Sequence, residues 1–371
     1  MKKLIFIFLV FLLTGCYNYR ELNNLAIVKG ASVDIEDGQY VVTYIISNIS
    51  KSQENMTTIL EGKGSTISDA IAEMNLMSSK ELYIGHMLIY VISEEVAKNG
   101  ISNITDFFFR NPTSKKTFQI IISKNKKAKD ILKVLSPLDS FPTDSIVKNL
   151  TTESSLSSFF VNTTLLSFLK KVKDPGIEAI ASGITIIKNS KSENLIKIEP
   201  LAIFKNDIFL KWENEEISNG ISLLLNQSSY SKITTNCEHG KVVFSMSNIK
   251  IKKSFKIKKE IDFKIKLTGN TEISEMSCNY NTQKKEDLIF LENILINKLS
   301  DILNKTIDEI KTTKIDSIGL GNYIYQNDYQ NWLKIKNDYL NNLNVEFEII
   351  PNLLAYENSN EGTNKINDEK N

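Results

Sequence analysis

Residues 4–13, LIFIFLVFLL, form an unbroken apolar run directly behind Lys2 and Lys3. A membrane-spanning helix needs about 20 such residues, so this run is too short to cross. A short positive start followed by an apolar core of this length is the pattern of a secretory leader, and it places the folded body outside the cytoplasm. No later stretch reads as a span. The body is therefore expected to bury its strands and helices against one another.

The run closes on Leu13-Thr14-Gly15-Cys16. Small residues before a cysteine at this distance resemble a bacterial lipobox, in which the thiol takes a diacylglyceryl group and the cysteine becomes the mature N-terminus. The reading is a signal peptide over 1–15 and lipidation at Cys16. Its rival is an ordinary secretory leader with an accidental cysteine. Two acyl chains, at about 0.8 kcal/mol per buried CH₂, hold a protein on a bilayer where one chain does not.

Lys+Arg 45 against Asp+Glu 44 argues against a dedicated nucleic-acid binder, which carries a marked basic excess. An apolar share of 42% with 24% charge excludes wholesale disorder. Two histidines and three cysteines leave little material for a zinc site. Cys237 and Cys278 are either a disulfide or two separate thiols. Cys237-Glu238-His239 offers two metal ligands without partners, a weak signal.

Strand and helix patterns alternate after the anchor. Residues 26–35 and 39–46 read as a hairpin over Asp37-Gly38. A helix follows a Ser65 or Thr66 cap, with Ile67, Ala70, Ile71, Met74 and Met77 on one face. Residues 82–92 read as a strand, Ser93 opens a short helix, and a further helix stops at Pro112. A strand over 117–123 and a helix ended by Pro137 come next. The Ser- and Thr-rich stretch 138–176 reads as a helical insert, and the polar loop 189–194 as the main domain boundary. Beyond it lie a hairpin over Asn206-Asp207, a helix, an antiparallel meander, long helical patterns over 286–311 and 323–341, and a strand over 345–350. The second helical pattern carries Tyr329, Trp332 and Leu333. The fold class is α+β, multi-domain, with mixed and antiparallel sheets and packed helices: an N-terminal domain over 16–190 with a sub-boundary near 140, a C-terminal domain over 195–356, and a disordered tail over 357–371.

No Gly-x-Ser-x-Gly, His-Glu-x-x-His or Walker loop occurs, so catalytic, cofactor-binding and metal residues are all read as none. Gly62-Lys63-Gly64-Ser65 lacks the phosphate-loop spacing and reads as a turn into a helix. His86, inside an apolar pattern, is a ligand or base on one reading and a satisfied, partly buried histidine on the favoured one. The alternating lysines over 250–266 suit anionic lipid or a partner, and more simply the solvated face of a sheet. Arg110, one of two arginines beside Arg20, suggests bidentate bonding inside the domain.

Several stretches, in this order behind a lipobox, resemble the Ger(x)C family, the lipoprotein C subunits of spore germinant receptors. Tyr19-Arg20-Glu21-Leu22-Asn23-Asn24-Leu25-Ala26 is similar to the family's W-R-E-L-N-D-L-A, with Tyr for Trp and Asn for Asp. Leu82-Tyr83-Ile84-Gly85-His86 resembles its strand ending in Gly-His, and Phe107-Phe108-Phe109-Arg110-Asn111-Pro112 its F-F-x-R-D/N-P segment. Ile203-Phe204-Lys205-Asn206-Asp207 resembles the opening of its C-terminal domain. Asp316-Ser317-Ile318-Gly319-Leu320-Gly321 resembles its D-x-x-G-x-G stretch, with Trp332 in the helix after it. Tyr339 stands where the family often has a second tryptophan.

The resemblance implies a non-enzymatic subunit on the outer face of the inner spore membrane, scaffolding or coupling two multi-span membrane subunits, A and B. Arg20 and Glu21, close to the lipid, are the candidate partner contacts; a local helix cap is the competing role. A second class is a lipid-anchored solute-binding protein that captures a germinant itself, which needs two similar lobes and a hinge. A surface hydrolase lacks its motifs.

Overall fold

The computed structural model of the protein describes residues 21–47, 57–135, 142–156 and 159–354. The leader over 1–15, Cys16, Arg20 and the tail over 357–371 lie outside them. β1 (Leu25–Glu36) and β2 (Gln39–Ser47) form the expected hairpin, with Asp37 at φ 51° and Gly38 at φ 76°. Two left-handed central residues match the twist of paired strands. β3 (Thr57–Gly64) adds antiparallel to β2.

Thr66 then caps α1 (Ile67–Met77). Its hydroxyl accepts the Asp69 N–H at 3.1 Å, and the Asp69 carboxylate accepts the Thr66 N–H at 3.1 Å. Gly64 lets this helix lie on β3, since a Cβ there would meet the Ala70 nitrogen at 2.5 Å. Ile67, Ala70 and Met74 are buried as the spacing predicts. Met77 is exposed instead, because the helix ends there and the chain turns away at Ser78.

The strand expected over 82–92 is two: β4 (Glu81–Tyr83) and β5 (Ile89–Ser93), both parallel to β1. A turn from Ile84 to Met87 separates them, closed by the Met87 N–H on the Ile84 carbonyl at 3.1 Å. His86 sits on that turn, exposed and edge-on to Tyr83 with ring centroids 5.7 Å apart. The partly buried histidine is therefore not found.

The first sheet is completed by β6 (Gln119–Ser123), β7 (Ile180–Lys188), β8 (Asn194–Lys205) and β9 (Ile208–Trp212). Its order is β3-β2-β1-β5-β6-β7-β8-β9, with β4 on the start of β1. The intervening helices are α2 (Glu94–Lys98), α3 (Ser102–Arg110), α4 (Ala128–Lys133), α5 (Pro142–Leu156) and α6 (Leu165–Lys173). β5 and β6 are covered on both faces, which is why they read as unbroken apolar runs. Tyr90, Phe108, Phe118 and Phe168 fill one side, and Ile121, Ile131 and Ile146 the other. The polar loop 189–194 is the turn between β7 and β8, which pair from Ile180↔Ile203 to Lys188↔Asn194.

α7 (Glu215–Leu224) leads to the second sheet of β10 (Tyr230–Cys237), β11 (Gly240–Ile257), β12 (Ile261–Met276) and β13 (Leu343–Ile350). The first three form an antiparallel meander, and β13 is parallel to β12. α8 (Lys285–Thr313) brings Leu291, Leu295, Leu299 and Leu303 to that core at four-residue steps. The helix expected over 323–341 is α9 (Leu320–Asn327) and α10 (Tyr329–Ile335), broken at Asp328, whose carboxylate caps the second by accepting the Asn331 N–H at 3.2 Å. Of Tyr329, Trp332 and Leu333 only Trp332 is buried.

Cys237 and Cys278 form a disulfide with Cα atoms 6.2 Å apart, which takes Cys237 out of any metal site. Lys250, Lys252 and Lys256 are exposed as expected of a solvated face. Lys253 departs from it: its Nζ donates to the Ile318 carbonyl at 3.2 Å, and burial pushes the amine down to about 8. The fold is α+β, with two sheets and ten helices among the described residues. None of those helices is long and apolar enough to cross a membrane.

Charge ties β1 to α4. Asp34 accepts the Ala128 and Lys129 N–H groups at 2.7 and 2.9 Å, capping the helix from a distant strand. Beside it Glu36 meets Lys63, Lys127 and Lys129 at 3.1, 2.5 and 2.9 Å. These lysines hold Glu36 down to about 2, from an ordinary 4.5. The folded value lies below the unfolded one, so the stabilisation is present above about 4.5 and lost as pH falls toward 2. Glu36→Gln is expected to cost about 1–2 kcal/mol at pH 7 and almost nothing at pH 2. Urea unfolding at the two pH values checks this, and an equal cost at both would show that the ion cluster is not the cause.

Candidate functional site

The chain enters the fold at the end that the leader would tether. Leu22–Asn24 form one 3₁₀ turn, closed by the Asn24 N–H on the Glu21 carbonyl at 3.0 Å. Glu21, Leu22, Asn23 and Asn24 are all exposed. The Glu21 side chain makes no cap hydrogen bond, so its carboxylate is not spent on the turn. Cys16 and Arg20 lie outside the described residues.

Nearby, α1, α3, β2 and β4 enclose a cavity of about 800 Å³. Tyr40, Tyr44 and Phe107 supply its aromatic wall, and Asn75, Glu81 and Asn103 its polar one. Two of the stretches carrying the sequence resemblance converge here: Leu82 and Ile84 from one, Phe107, Arg110, Asn111 and Pro112 from the other. Burial pushes the Tyr44 phenol above its ordinary range, so it stays a neutral donor.

Arg110 stands on the cavity rim. Its Nε donates to Asp106 Oδ2 at 2.7 Å, one turn back along α3, and both side chains are exposed. The interior bidentate bond expected of it is absent, because α3 turns this residue outward while Phe108 takes the inward position. Ser65, also on the lining, gives its hydroxyl to Asp69 at 2.7 Å, a bond that serves the cap of α1. No group of three or more potential metal ligands occurs among the described residues. The cavity can hold a small polar solute or a partner's side chain; it presents no activated nucleophile.

A second constellation ties the two halves together. Asp316, fully buried, accepts the Gly319 and Gly321 N–H groups at 2.7 and 2.8 Å and the Tyr339 hydroxyl at 2.8 Å. Burial raises its pKa against the pull of those donors, and burial beside Asp316 raises that of Tyr339. Gly319 sits at φ 72° as the N-cap of α9 and has no side chain to cap with; Asp316 does that work from three residues upstream. The Asn322 N–H then donates to the Gly176 carbonyl at 2.7 Å, and the Glu178 N–H to the Asp316 carbonyl at 2.9 Å. The D-x-x-G-x-G stretch is thus a buried fastener. Composition does not reveal Tyr339 as its partner; the residue stands out in the sequence only as a departure from the family pattern.

With this geometry in view, comparisons with known proteins are specific. Residues 18–186 match the model of the spore germination protein N-terminal domain, and residues 199–353 that of the spore germination B3/GerAC-like C-terminal domain. Spore germination protein KC of Bacillus subtilis (strain 168) is 24% identical over 359 residues, covering 88% of this chain and 87% of that protein. Spore germination protein B3 of the same organism is 20% identical, covering 90% and 91%. The crystal structure of the GerBC protein has the same fold, with a TM-score of 0.57 at 15% identity over 91% of this chain and 100% of that one.

Proposed function

Because the chain belongs to the GerAC, or Ger(x)C, spore germination protein family, we propose that it is the lipid-anchored C subunit of a nutrient germinant receptor. In this reading Cys16 carries the lipid, the body sits on the outer face of the inner spore membrane, and it scaffolds or couples the A and B membrane subunits. The observation that carries it is the presence of both family domains, in order, over 18–186 and 199–353. The subunit performs no catalysis of its own.

Tagged full-length protein, purified from spore membranes, is expected to bring two multi-span subunits with it in mass spectrometry. Recovery of neither overturns the scaffold role. Within that assembly Arg20 and Glu21 are the proposed contacts, since arginine pairs bidentately with a carboxylate. Glu21→Ala is expected to weaken co-purification several-fold while leaving thermal melting unchanged, as its side chain caps nothing. Lowered melting with full recovery of the complex refutes the contact.

Direct capture of a germinant is the second reading, favoured by the cavity of about 800 Å³. Against it stand two sheets of different strand order, which are not the paired lobes of a hinged binding protein.

A further inference from the structure

The margin of the first sheet where the chain enters is also where it bares apolar side chains. Leu25 pairs with Glu81, Ile27 with Ser47, and Ser47 with Thr57, so the starts of β1, β4 and β3 and the end of β2 share that margin. α1 runs back along β3 from Gly64, which lies against Asp69 and Ala70, and so delivers its last turn to the same place. The Ser78 hydroxyl, donating to the Lys80 carbonyl at 2.6 Å, closes the short turn from Met77 to Glu81. Leu76 is 90% exposed, Leu22 60% and Met77 53%. A single exposed leucine is ordinary. Three large apolar side chains at the tethered margin are not.

Chain length sets the distance to lipid. The five steps from Cys16 to Glu21 span at most about 18 Å when fully extended. The headgroup layer is itself about 5–8 Å deep on each side of the hydrocarbon. A body held that close, free to pivot on its anchor, brings this margin to the bilayer repeatedly. Arg20, Glu21, Lys80 and Glu81, within a few residues of the three side chains in sequence, sum to zero and carry no positive excess. Attraction to anionic lipid therefore does not drive the contact; apolar burial does.

We propose that Leu22, Leu76 and Met77 form an apolar cap that enters the headgroup boundary of the bilayer and sets the orientation of the body on it. This rests on the reading that Cys16 carries the lipid. The cap turns a point attachment into a surface contact and brings Asn75, Glu81 and Leu82 of the cavity lining to the membrane side.

The test uses full-length lipidated protein reconstituted into phosphatidylcholine vesicles. One variant is Leu76→Cys carrying a polarity-sensitive fluorophore. The other is Gln39→Cys, the first residue of β2, which pairs with Glu36 at the far end of β1, about 35 Å along that strand from Leu25. The Leu76 probe is expected to shift to the blue and lose most of its emission to doxyl-labelled lipid, with little change in high salt, while the Gln39 probe stays in water. A Leu76 probe that behaves like the Gln39 probe overturns the cap alone. Shielding that appears in spore membranes but not in pure lipid assigns the cap to a protein partner and likewise overturns the lipid contact. A chain that does not float with the vesicles refutes the anchor reading, and the cap with it.

Discussion

Asp316→Ala is expected to lower the stability of the protein by about 3–5 kcal/mol, a cost reserved for the loss of a buried polar network. The substitution strands the Gly319 and Gly321 N–H groups and the Tyr339 hydroxyl, all three held at 2.7–2.8 Å in the intact protein. Each buried donor left without a partner costs about 1–3 kcal/mol. It also releases the entry of α9, whose glycine N-cap has no side chain of its own. Asp316→Asn keeps one acceptor and turns an amide toward the other donors, so it should fall between Ala and the native residue. Urea unfolding followed by circular dichroism measures the series; native-like midpoints for both variants would show that water takes over the carboxylate's bonds.

Cys16→Ala is the second large effect, on location rather than stability. The variant is expected to leave the membrane fraction almost completely and to abolish the response of its receptor, because no helix among the described residues spans a bilayer. Under the proposed anchor, losing two acyl chains would remove on the order of 20 kcal/mol of lipid transfer free energy, at about 0.8 kcal/mol per CH₂, far beyond what three surface side chains replace. Protein retained in the pellet through high salt and carbonate would refute the anchor.

Local signals were legible wherever a few adjacent residues decide the outcome. Asp37-Gly38 sets its hairpin by backbone preference, Thr66 and Asp69 form their own capping box, and the four-residue leucine steps of α8 mark one face over its whole length. The misses arise from partners far away in the chain. β3 and β10 pass unread because their alternation is weak and only pairing with β2 and β11 makes them strands. Lys253 looks like its solvated neighbours in the sequence, yet the Ile318 carbonyl draws it inward. The convergence of 82–84 with 107–113 on one cavity is likewise a product of topology. Neither segment announces the other.

The pairing of β7 with β8 bears on how such chains can be recombined. The two matched family regions end and begin at 186 and 199, inside these two strands. The unit recognised by descent is therefore not the unit that holds itself together, for β8 and β9 finish a sheet begun by the other region. A hybrid joined at the 189–194 loop would set a β7 from one parent edge to edge with a β8 from another. Ile180 beside Ile203 and Ala181 beside Ala202 would each have to find a compatible neighbour across the graft. A junction placed after Trp212, where β9 closes the sheet, keeps that inheritance intact.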